Sequence, residues 1–66
     1  MPFGELVRLL ESNGFNLLKE EGSVRYYHKP GVDRLIRVDY HGSKEVPTGT
    51  LHAIAKTAGV RIGGRS

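Results

Sequence analysis

The 66-residue chain has no cysteine and no tryptophan. Without cysteine there are no disulfides, no thiolate zinc sites and no thiol nucleophiles, which fits a reducing compartment. No apolar run approaches the roughly 20 residues needed to span a bilayer. The amino end, MPFGELVRLLESNG, places Glu5 and Glu11 among its apolar residues, unlike a secretory signal. The expectation is therefore a soluble, cytoplasmic protein without a membrane partner. Metal-ligand spacing is also missing: no two His stand at i, i+4, and no carboxylate pair is suitably placed. The glycines form no phosphate-binding loop ahead of a helix, and no nucleophilic Ser elbow occurs. Neither a metal nor a small-molecule cofactor is expected. A chain of this size fits one thin domain and no deep substrate cavity. We place that domain at residues 1–62 and a frayed tail at 63–66.

Charge is present, and unevenly. The net charge of +3 divides into −2 over residues 1–21 and +5 over residues 22–66. A basic two-thirds on so small a domain points to a polyanion or an acidic protein as partner. Phe3, Leu6, Val7 and Leu10 follow helical spacing, with Gly14 at the stop, which predicts a helix over about 4–13. Short β-forming runs follow at 15–20, 23–29 and 34–40, separated by Glu21-Gly22 and Pro30-Gly31. They predict an antiparallel meander. A second helix opens around Pro47-Thr48, with Thr48 as its N-cap, and stops at Gly59. The fold class is α+β, in the order α-β-β-β-α. Three strands cannot bury both faces, so both helices should cover one face and leave the other open as the working surface.

Strand alternation suggests which residues line that face. Ile36 and Val38 make the better core pair, so Arg37 should look outward. On strand two, Val24, Tyr26 and His28 are expected outward, with Tyr27 packed against the helices and Arg25 and Lys29 on its side. Tyr26, His28 and Arg37 together suit single-stranded RNA, where bases stack on rings and cations meet phosphates. Lys44 and Arg25 are further candidate phosphate contacts. The same Tyr and Arg mixture also suits a protein interface. His52 reads as an ordinary helix residue. His28 and His41 are candidate proton-transfer groups, since imidazole is the side chain suited to proton exchange near neutral pH. RNA cleavage by its own 2′-hydroxyl needs only such a group and cations at the phosphate.

At this point a resemblance emerges. The run VDYHGSKEVPTGTLHAIAKTAGV resembles the carboxyl half of the HicA (YcfA-like) toxin family, through His41, Lys44, Glu45, Val46, Pro47, Gly49, Thr50, Ala58 and Gly59. The segment Glu5 to Phe15 resembles the family's first helix, and Gly22-Ser23 opens strand two as in the family. The resemblance covers about residues 4–62, and Lys-Glu-Val-Pro-Thr-Gly-Thr is its specific part. It implies a double-stranded-RNA-binding-domain-like fold, metal-independent mRNA cleavage and a HicB-type antitoxin. The fold name alone does not imply duplex binding. In one respect the chain departs from the family, whose catalytic His follows Gly-Ser. Here that place is Val24, which transfers no proton. Three explanations stand: His28 or His41 has taken the role, the protein binds RNA or antitoxin without cutting, or this branch is arranged differently. An unrelated basic structural domain is the remaining alternative.

Overall fold

The computed structural model describes residues 1–61, so the tail expected at 63–66 lies outside the described residues. The order is α1 (Phe3–Ser12), β1 (Asn16–Glu21), β2 (Val24–His28), β3 (Ile36–Asp39) and α2 (Thr48–Ala58). The strands form one antiparallel sheet in the order β1-β2-β3. The expected α-β-β-β-α architecture is therefore present. No helix among the described residues is long and apolar enough to cross a membrane.

The helices cover one face because of where the apolar side chains fall. α1 buries Phe3, Leu6, Val7 and Leu10, and α2 buries Ile54 and Ala55. They meet Tyr27 of β2 and Ile36 and Val38 of β3, all less than 3% exposed, together with Phe15 and Val46. Strand alternation then directs Val24, Tyr26, His28, Arg37 and Asp39 to the opposite face. The outward reading of Tyr26 and Arg37 and the inward reading of Tyr27 thus both hold.

Local signals set the element ends. Gly14 adopts φ 92° just past α1, where its amide bonds the Glu11 carbonyl and the Phe15 amide bonds that of Leu10. This left-handed conformation is what a helix C′ glycine supplies, and it returns the chain so that Phe15 enters the core. The start of α2 corrects one expectation. Thr48 is the first helical residue, and Pro47 occupies the N-cap without a side-chain cap bond. The reason is that the Pro47 carbonyl already accepts from the Leu51 amide at 2.9 Å, which begins the helical ladder one residue earlier. β3 is also shorter than expected, because Arg34 and Leu35 precede the pairing with β2.

Candidate functional site

The register of the sheet arranges the open face in rows. One row is Lys19–Tyr26–Arg37, with each residue the cross-strand partner of the next. The Lys19 ammonium lies 5.0 Å from the centroid of the Tyr26 ring, in cation–π range. The next row is Glu21–Val24–Asp39, so Val24 stands between two carboxylate-bearing positions. His28 is paired with Asn16 at the far end of β2. It stands four steps along the strand from Val24, roughly 13 Å.

At the Asp39 end, the open face runs into a cavity of about 260 Å³ lined by Phe3, Asp39, His41, Lys44, Pro47 and Thr50, among others. The loop carrying His41 and Lys44 is held against the start of α1. The first amides of a helix lack intrahelical partners. Here those of Phe3 and Gly4 donate to the carbonyls of Lys44 and Gly42, at 2.9 and 3.0 Å. The Val46 amide donates to the Met1 carbonyl at 2.8 Å, and the Met1 ammonium pairs with Glu45 at 2.6 Å. Gly42 turns the loop at φ 62°, a conformation that disfavours a side chain. His41 then meets the Phe3 ring edge-on, with centroids 5.3 Å apart and planes at 74°.

A polar chain orients this corner. Ser23 Oγ donates to Asp39 Oδ1 at 2.9 Å, and Asp39 Oδ2 lies 3.5 Å from His41 Nε2. The Ser23 hydrogen bond, opposed by slight desolvation and aided by His41 and Arg37, holds the Asp39 carboxyl below its ordinary value of 3.8. The sign follows from that depression. The charged form is favoured by the fold, so its contribution is complete above the ordinary value. It is lost as pH falls through the lower, folded value. Ser23→Ala should raise the Asp39 midpoint toward 3.8, read from side-chain carboxyl shifts in an NMR titration. An unmoved midpoint would show that the hydroxyl does not hold the carboxylate.

The candidate residues therefore separate into groups. His41 and Lys44 share the cavity with Asp39, while Tyr26 and Arg37 share the central row of the open face. His28 is distant from the cavity. Arg25 points to the helix side, where its guanidinium stacks 3.9 Å from the Tyr40 centroid and contacts Glu20 at 3.3 Å. The Tyr27 hydroxyl, 3.5 Å away, is the main influence raising the guanidinium above its ordinary value, against some desolvation, with Glu20 adding to it. Arg25 is thus committed to the fold on the face opposite Arg37. Sequence reasoning missed Lys19, Ser23 and Asp39. Asp39 and His41 stand two apart and were open to a same-side reading. The Ser23–Asp39 and Lys19–Tyr26 contacts depend on register, which no local signal states. Among the described residues, no group of three His, Asp or Glu gathers as metal ligands.

A comparison with curated proteins returned no match. Against protein families, residues 3–60 match the family described as the HicA toxin of bacterial toxin-antitoxin systems. The match runs from the first residue of α1 to just past the glycine that ends α2, taking in every element of the fold. With nearly the whole domain matched, this chain belongs to the HicA toxin family.

Proposed function

We propose that this toxin acts on mRNA, binding a single strand along the open face and cleaving it without a metal at the Asp39–His41 corner. Family membership makes the chain the toxin member of a pair and implies an antitoxin partner; a HicB-type protein is the partner we propose. The observation that carries the RNA reading is the Lys19–Tyr26–Arg37 row on the same face as Asp39, which lines the cavity with His41 and Lys44. Aromatic rings flanked by cations suit stacked bases between phosphates. The uncapped first turn of α2 beside Thr50 adds amides for a phosphate oxygen.

The proposed chemistry is transesterification. His41 takes the proton from a ribose 2′-hydroxyl, and the 2′-oxygen attacks phosphorus. The P–O5′ bond breaks, and the 5′-oxygen leaves with a proton from water. Asp39 orients the imidazole through Nε2, and Lys44 faces the charge gathering on the phosphate. His41 is favoured over His28 because Val24, at the position where the family resemblance puts its histidine, pairs with Asp39, and Asp39 contacts His41. Val24 itself favours a second reading: a binding module that keeps the toxin fold and occupies RNA or antitoxin without cutting.

Purified protein incubated with a single-stranded mRNA fragment in EDTA separates the two. The first reading expects products ending in 2′,3′-cyclic phosphate. Intact RNA that is nevertheless bound would select the second. In either case, neutralising four to six phosphates gives log K against log salt a slope of roughly −3 to −4. Arg37→Ala should make that slope shallower by about 0.7. Affinity indifferent to salt would sink both RNA readings.

A further inference from the structure

The two edges of the sheet differ, and only one carries a register break. β1 carries charge at three successive positions, Lys19, Glu20 and Glu21, and its pairing register breaks between Leu17 and Lys19. Bulges and charges of this kind blunt an edge against further pairing. β3 has no such break: its register runs evenly from Ile36 to Asp39, and its charges, Arg37 and Asp39, alternate with the buried Ile36 and Val38. The Tyr40 amide donates to the Ser23 carbonyl at 2.8 Å. By antiparallel alternation, Arg25–Val38 and Tyr27–Ile36 also exchange bonds, and the amides and carbonyls of Arg37 and Asp39 point away from β2. Beside them, on the helix side, lies a groove of about 150 Å³ between Leu35, Ile36 and Arg37 of the edge and Ala53, Ile54 and Thr57 of α2. Leu35 is 49% exposed there.

We infer that this edge binds an extended segment of a partner protein, added antiparallel to β3 as a fourth strand. The side-chain pattern of the edge specifies the segment. Residues opposite Arg37 and Asp39 share their open face and call for a carboxylate and a cation, respectively. The residues between them point to the helix side and call for apolar groups that enter the groove beside Ala53 and Thr57. Read antiparallel, this is cation, apolar, carboxylate, apolar. A second copy of this chain fits poorly. α2 packs along β3, so pairing two β3 strands about 4.8 Å apart would crowd two helices that need about 8–10 Å between axes. A lone strand brings no such helix. In a toxin–antitoxin pair the antitoxin is the protein available to supply it. That assignment rests on the family, not on the RNA reading.

The test uses the full chain and two synthetic peptides of one composition, Lys-Val-Glu-Val-Thr and the non-alternating Lys-Glu-Val-Val-Thr. Saturating alternating peptide should slow exchange of the Arg37 and Asp39 amides by about tenfold. It should also shift the Ala53 and Thr57 resonances and leave Lys19 and Tyr26 unmoved. Ala53→Glu, at an exposed helix position, fills the groove and should abolish these effects while RNA binding persists. Retained RNA binding in that variant separates failure here from failure of the RNA reading. Three results would overturn the inference: unchanged exchange, equal protection by the non-alternating peptide or in Ala53→Glu, or protection without peptide that grows with protein concentration. The last would make the occupant a second copy.

Discussion

Tyr27→Ala should remove at least about a third of the protein's folding stability. The ring is 1% exposed and sits where β2 meets both helices. Removing a buried aromatic costs about 3–5 kcal/mol, part from lost transfer and part from the cavity left behind. At roughly 0.05–0.15 kcal/mol per residue, a chain of this length is stabilised by about 3–10 kcal/mol in total. A single truncation therefore consumes between about a third of the stability and all of it. Surrounding residues have little room to collapse, because Leu6, Leu10, Ile36 and Val38 are themselves at most 2% exposed. Urea unfolding followed by circular dichroism reads the effect as a missing folded baseline or a midpoint lowered by several molar. Tyr27→Phe is the control. It gives up only the long 3.5 Å bond from Arg25 and should cost about 1 kcal/mol or less. A loss under 1 kcal/mol for Tyr27→Ala would contradict the core as described.

His41→Ala has the largest expected effect on activity. Under the cleavage reading it removes the proton-transfer group and slows cutting by about 10²–10⁴-fold. RNA affinity should change little, since the Lys19–Tyr26–Arg37 row is untouched. Asp39→Asn keeps the shape and removes the carboxylate that orients the imidazole, so it should slow cutting by a smaller factor. His28→Ala should cut like wild type, because His28 stands at the opposite end of β2 from the Asp39 corner. Val24→His, placed in the His41→Ala background, should recover at least about tenfold of the lost rate. It sets an imidazole next to Asp39 on the open face, the place the family resemblance assigns to one. Single-turnover rates on one RNA fragment measure all four. Undiminished cutting by His41→Ala, with no gain from Val24→His, would remove this corner from the mechanism.

The sequence alone determined the elements and their order. Helical spacing in Phe3, Leu6, Val7 and Leu10, the glycine stops and the β-rich runs are local signals that survive in a short window. Alternation in β3 likewise marked Ile36 and Val38 as core and Arg37 as outward. The family was legible too, through Lys44 to Thr50 and the helix that follows. The misplacement of the N-cap, Thr48 for Pro47, is a one-residue shift at a helix end, where the first accepting carbonyl decides. What only the tertiary structure decided is register and loop seating. Cross-strand pairing places Val24 against Asp39, and Ser23 reaches Asp39 across 16 residues of sequence. The α1 amides pin the 41–46 loop so that His41 enters the same corner. Between His28 and His41 the sequence left an open choice, because both lie near strand ends. Distance settles which one lies beside Asp39, and distance is a property of the assembled sheet.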